Sequence, residues 1–228
     1  MEAAVLAQRL DAVRAALENA SEGRYPTPKL IAVTKTHPLE DILPLKALGV
    51  TDVGENRVQE IMEKLPGLVE NFHIHQIGRL QSNKVKYIID HVCLIQSLDR
   101  LSLAEEIDRQ AQRVERAMPV LVQVSPAGEE QKGGMPPEAV LPFLREAARM
   151  PGLSVRGLIA VMPHVQDEAY LSGLFADMRA LFEHLRSEAV DGVAMEELSM
   201  GMSGDYLLAA RHGATMVRVG SALFGPRA

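Results

Sequence analysis

Eight short apolar runs punctuate the chain, and the segments between them carry helical patterning. The runs are LIAVT (30–34), TDVGE (51–55), NFHIHQIG (71–78), VCLIQSL (92–98), PVLVQVS (119–125), VRGLIAVM (155–162), ELSMGM (197–202) and MVRVGSALFG (216–225). The first four begin roughly 20 residues apart, enough for a strand, a loop, a helix and a return. Several are continuous Val/Ile/Leu stretches, the pattern of parallel strands covered on both faces. Between the sixth and seventh runs, Tyr170, Leu171, Leu174, Phe175, Met178, Leu181, Phe182 and Leu185 hold a helical period. Ahead of the first run, MEAAVLAQRLDAVRAALENA reads as an extra N-terminal amphipathic helix. The repeat predicts a single-domain (β/α)8 TIM barrel over residues 1–228. A doubly wound open sheet is the alternative, but no GxGxxG follows the first strand. No linker breaks the chain. The stretch 126–137, with Gly128, Gly133 and Gly134, reads as a mobile loop after the fifth strand.

Composition narrows the function classes. The net charge is −6, no lysine or arginine block occurs and aromatics make up only 4%, so nucleic-acid binding is disfavoured. No segment approaches the roughly 20 apolar residues of a membrane span, and the N-terminus lacks the pattern of a signal peptide. Cys93, the single cysteine, lies in an apolar run and reads as a buried core residue in a reducing, cytoplasmic setting.

In barrels of this type the chemistry sits on the loops after the C-terminal strand ends. The first run ends at Lys35, directly behind four β-forming residues. Desolvation there would lower the amine's pKa and free it to attack a carbonyl, whereas a lysine that snorkels to the rim is the bland reading. Asn56 follows the second run, where it can meet a ligand or cap the next helix. His73 and His75 share one strand face, but no further Cys/His/Asp cluster accompanies them to make a metal site. His75, nearer the strand end, is the better placed for a ligand. After the seventh and eighth runs come two Gly/Ser openings, Met202-Ser203-Gly204 and Val219-Gly220-Ser221. Ser203 can cap the helix over 206–212, and the flanking glycines let backbone N–H groups approach an anion. Phosphate sites recur at these two barrel positions. An amine-reactive lysine with a phosphate cradle points to a phosphorylated carbonyl compound.

LIAVTK (30–35), GENRVQE (54–60), HQIGRLQSNK (75–84), KGG (132–134), GLIAVM (157–162), LSMGMSGD (198–205) and MVRVGSALFG (216–225), taken in order, resemble the pyridoxal 5′-phosphate homeostasis proteins. The resemblance covers residues 30–227. It implies a barrel similar to the N-terminal domain of alanine racemase, with pyridoxal 5′-phosphate as an internal aldimine on Lys35. It also implies that Ser203 with the Gly220 and Ser221 backbone holds the phosphate, and that Arg218 faces the pyridine nitrogen, weakening the ring as an electron sink. Asn56, His75 and Met200 would line the ring pocket. Two departures stand out. Gln76 replaces the family's usual aromatic and is expected to alter packing outside the pocket. KGG also lacks the small polar residue common in the family's loop, which bears on Lys132. Lys84 and Lys132 are the next candidates should Lys35 not carry the cofactor.

Two-base racemisation needs acid/base groups on both faces of the cofactor, and in the resembling racemases one comes from a β-domain after the barrel. This sequence ends three residues after Gly225. The expectation is therefore a non-catalytic, monomeric cofactor-binding protein whose partners are pyridoxal 5′-phosphate and apo-enzymes that need it, with no metal. An amino-acid racemase using the same cofactor is the alternative, and a Schiff-base aldolase a third reading.

Overall fold

Parallel strands cannot satisfy edge N–H and C=O groups locally, and a closed ring removes the edges altogether. The computed structural model, which describes residues 3–21, 23–128 and 133–225, has this form. Strands β1 (Lys29–Val33), β2 (Asp52–Glu55), β3 (His73–Gln76), β4 (Leu94–Leu98), β5 (Met118–Val124), β6 (Leu153–Ala160), β7 (Val193–Met202) and β8 (Met216–Val219) pair in sequence order. The ring closes where β1 pairs with β8, Lys29 opposite Met216 and Ala32 opposite Val219. The barrel expected from the apolar runs is the fold, and the open sheet is excluded.

Around it run α1 (Ala3–Ala20), α2 (Leu39–Ile42), α3 (Pro44–Ala47), α4 (Val58–Val69), α5 (Val85–Ile88), α6 (Leu101–Arg113), α7 (Pro137–Ala147), α8 (Glu168–Ser187), α9 (Tyr206–Arg211) and α10 (Ser221–Phe224). The expected N-terminal helix is α1. Its buried stripe of Leu6, Leu10, Val13 and Leu17 packs towards α9 and α10, and Arg9 Nη1 donates to Leu223 O at 3.3 Å. The periodic residues of α8 include the fully buried Phe175 and Phe182, each contributing about 1.5–3 kcal/mol by leaving water. No helix among the described residues is long and apolar enough to cross a membrane.

Alternation along each strand divides the side chains into two cores. One set fills the layer between barrel and helices. The other set, Ile31, Leu94, Leu121, Ile159 and Met216, meets inside the ring and plugs it. Cys93, expected in the core, is only half-buried against this plug, because it precedes β4 at the barrel's N-terminal end. Burial still pushes its thiol up to about 12, well away from thiolate chemistry. Of the loop expected at 126–137, residues 129–132 lie outside the described residues, and Lys132 with them.

One glycine is obligatory for closure. Gly157 in β6 has φ 145°, at a register shift where the strand passes β7. A Cβ there would lie 1.8 Å from the Glu197 carbonyl oxygen, which belongs to the β7 backbone and cannot move aside. Gly157→Ala is expected to destabilise the protein by at least about 3 kcal/mol, read as a drop in urea midpoint at unchanged slope. A loss below about 1 kcal/mol would show that the strand accommodates a side chain there.

Candidate functional site

The C-terminal strand ends open into a cavity of about 520 Å³. Lys35, Asn56, Ser203, Arg218, Gly220 and Ser221 line it, together with His37, Arg79 and Gln123. Two of the expected residues do not. Met200 is fully buried in the barrel–helix core, because it alternates with the inward-facing Ser199. His75 does face inward, but a layer below the cavity. Its Nε2 lies 2.9 Å from Asp52 Oδ1 and its Nδ1 3.0 Å from Gln96 Nε2. His73 is largely exposed at the other end of the strand, and no metal-binding group of three or more His, Cys, Asp or Glu occurs among the described residues. Lys84 sits outside the cavity in the Ser82–Lys84 turn, its Nζ 5.6 Å from the Tyr87 ring centroid.

Lys35 occupies the turn after β1, half-buried. The peptide groups on either side of it are held from behind. Lys64 Nζ, on α4, donates to Thr34 O at 3.0 Å and to Glu55 Oε1 at 2.8 Å. Glu60 Oε2 accepts the Thr36 N–H at 2.6 Å, and Thr36 adopts a left-handed φ of 68° that a threonine rarely takes unaided. Thr34 Oγ1 donates to Glu55 Oε1 at 2.7 Å. Glu55 is wholly buried, and that burial raises its carboxyl above the usual range against the pull of Lys64 and Thr34. Glu55, Glu60 and Lys64 were not anticipated, although one signal existed. Position 64 falls on the apolar stripe of α4 with Ile61 and Leu68, where a lysine has to find a buried partner.

The opposite wall is built from the last two strands. Ser203 does not cap α9, whose N-cap is Asp205. Its Oγ instead accepts the Gly220 N–H at 3.1 Å and the Ala222 N–H at 3.3 Å, at the start of α10. Asn56 likewise caps nothing, since α4 starts from Arg57 without a side-chain cap. Gln76, fully buried behind the cavity, donates to Asn56 O and Gly78 O and so ties two mouth loops together. Arg218 is almost completely buried, with Nη1 donating to Ser199 Oγ at 2.7 Å and Nη2 to Ala160 O at 2.8 Å. Burial lowers its pKa to about 10, opposed by the Asp205 charge, so it remains cationic at neutral pH. The cavity thus joins an amine, an acceptor-demanding guanidinium and converging backbone donors. That set suits an anionic ligand bearing a carbonyl.

A family model described as "Alanine racemase, N-terminal domain" matches residues 8–228. A pyridoxal phosphate homeostasis protein from Aquifex aeolicus is 39% identical over 97% of this chain and 96% of its own, and one from Pseudomonas aeruginosa 37% over 97% and 96%. Among solved structures, PipY of Synechococcus elongatus with PLP bound superposes with a TM-score of 0.85 at 34% identity, covering 96% of this chain and 100% of its own. Alanine racemase from Bartonella henselae shares the fold at a TM-score of 0.76 and 14% identity, over 99% of this chain and 60% of the racemase.

Two stability effects follow from the buried charges. Lys64→Met strands Glu55 without a counter-charge and should cost roughly 3–5 kcal/mol in denaturant unfolding, part of it recovered when Glu55→Gln is added. At Asp52, burial opposes ionisation but hydrogen bonds from His75 and Thr51 outweigh it and lower the pKa from 3.8 to about 2. A folded-state pKa below the unfolded one means stabilisation that is present above pH 3.8 and lost as pH falls towards 2. The stability gap between the wild type and Asp52→Asn should therefore close across that window, and a gap independent of pH would contradict the assignment.

Proposed function

The chain belongs to the pyridoxal phosphate homeostasis family, built on the alanine racemase N-terminal-domain fold, and we propose that it holds pyridoxal 5′-phosphate in its barrel mouth as a Schiff base on Lys35 and manages that cofactor without turning over amino acids. The observation that carries this reading is that Lys35, the Ser203–Gly220 cradle and Arg218 border one cavity. The residues fit the ligand. A cavity of about 520 Å³ is of the size of small-molecule sites. The Gly220 and Ala222 N–H groups already converge on one oxygen, that of Ser203, the convergence a phosphate oxygen requires.

Bound there, the cofactor supplies an aldehyde for the amine and a conjugated ring that spreads negative charge. The protein's part is to place and tune. Fixed peptide groups at Thr34 and Thr36 aim the Lys35 amine. Ser203 and Ser221 with the α10 backbone anchor the phosphate. Arg218 can only donate, so a ring nitrogen facing it must accept and stays unprotonated, which weakens the ring as an electron sink. The relatives' names, homeostasis proteins, agree with a holding role.

Wild-type protein loaded with pyridoxal 5′-phosphate should show a visible absorption band and, after borohydride, a fixed adduct. Lys35→Ala should lose both. An undiminished adduct on that variant would move the attachment elsewhere. On the same loaded sample, incubated with L- and D-alanine, racemisation at roughly 1–10³ s⁻¹ would overturn the holding role and establish a racemase. Transfer of the cofactor to an apo-enzyme with negligible racemisation would support it.

A further inference from the structure

A chain of hydrogen bonds runs through the barrel interior below the cavity, and it accounts for the inward histidine that the cavity does not use. It begins at Arg218 on β8, whose Nη1 meets Ser199 Oγ on β7 at 2.7 Å. Ser199 Oγ meets Gln96 Oε1 on β4 at 2.7 Å, across the barrel. Gln96 Nε2 meets His75 Nδ1 on β3 at 3.0 Å, and His75 Nε2 meets Asp52 Oδ1 on β2 at 2.9 Å. Ser199, Gln96 and His75 are all at least 97% buried, so no water competes for these groups from outside.

The two ends dictate the direction. A guanidinium has only donors, so the Ser199 oxygen accepts from Arg218 and its single hydrogen must go to Gln96. The Gln96 oxygen therefore faces Ser199 and its amide nitrogen faces His75. Against an N–H donor, His75 Nδ1 must be bare, which puts the imidazole hydrogen on Nε2, facing the Asp52 carboxylate. Every donor meets an acceptor in this orientation. Turning the Gln96 amide over would leave the buried Ser199 hydrogen without an acceptor and remove the Gln96 Nε2 contact to Met216 Sδ. A neutral ring donating from Nδ1 would then set a bare Nε2 against the Asp52 carboxylate. We propose that Asp52, His75, Gln96 and Ser199 are positioning residues that lock the Arg218 guanidinium through this one-way chain, with His75 held as the neutral Nε2–H tautomer. As a lock on what Arg218 presents to the cofactor's ring, the chain rests on the functional reading above. Its direction does not.

The first test needs no cofactor. In ¹⁵N NMR of histidine-labelled wild-type protein near neutral pH, His75 should show a bare Nδ1 and a protonated Nε2. Gln96→Glu, which offers Nδ1 only an acceptor, should bring a proton to Nδ1. An Nδ1–H tautomer or an imidazolium in the wild type overturns the chain, whether or not the protein binds cofactor. The second test is a double-mutant cycle on pyridoxal 5′-phosphate affinity. Gln96→Leu should weaken binding roughly tenfold and shift the absorption maximum of the bound cofactor. Added to Arg218→Lys it should weaken binding little further, because the residue it acts through is already changed. Full additivity of the two losses would overturn the positioning role. Absence of binding by the wild type would sink the functional reading and with it that role, while the NMR result still decides the direction.

Discussion

The hydrogen bonds between β1 and β8 are the constraint on which the rest depends. They join the first strand to the last, and only through them do Lys35 and Ser221 come to border one cavity. The seam is tight. A Cβ at Gly220 would lie 3.2 Å from Val33 Cβ and 3.3 Å from the Val33 carbonyl oxygen, so a side chain there would press on β1 and force it to give by a few tenths of an ångström. Above it, the His37 ring stacks on Phe224 with centroids 4.2 Å apart, fastening the turn that carries Lys35 to α10. α1 then packs against α9 and α10, covering the outside of the same join.

Two sets of buried charges flank that seam, and neither is explained by stability alone. Replacing a buried ion pair with apolar residues of similar volume is often neutral or better. What the Glu55–Lys64–Glu60 set contributes is definition of backbone. Lys64 and Glu60 bind the carbonyl before Lys35 and the N–H after it, holding Thr36 in a conformation that a free loop would leave. Arg218, by contrast, is held through its side chain, by the Ser199 hydroxyl and the Ala160 carbonyl. One set aims an amine by fixing the main chain beneath it, and the other fixes a cation directly. Glu55, Lys64 and Arg218 lie on buried inward or backing positions, where geometry persists with little screening, while Glu60 reaches in from a partly exposed one.

Much of this was legible from residue order because parallel strands write their burial into continuous apolar runs. All eight strands fall at the expected runs, and Lys35, Ser203 and Ser221 follow strand ends as expected. Met200 was also within reach, since strand parity opposes it to Ser199 and sends it to the helix side. His75 was not, because its depth below the mouth depends on how β2, β3 and β4 are staggered around the ring. A single strand's pattern carries face but not height. The pairing of Gln96 with Ser199 spans 103 positions and crosses the barrel, so no local pattern announces it. Ser203 misled for a related reason. Its own helix is next in sequence, yet the donors that it satisfies belong to α10, across the junction between strands.

The racemase domain and this chain share a barrel at 14% identity, so the architecture by itself cannot determine what a bound cofactor does. Individual groups decide it, and Arg218 is one whose consequence for a ligand is easy to follow. Burial has displaced its solvating water, and two of its nitrogens are committed to the protein. Whatever ligand atom meets the remainder must be an acceptor, because a donor there would leave both partners unsatisfied in a desolvated site. For a pyridine ring that requirement selects the unprotonated nitrogen, the state in which the ring withdraws electrons least. A pocket can thus grip an aldehyde and a phosphate firmly while denying the ring the charge that amino-acid chemistry draws on, and holding the cofactor then becomes separable from using it.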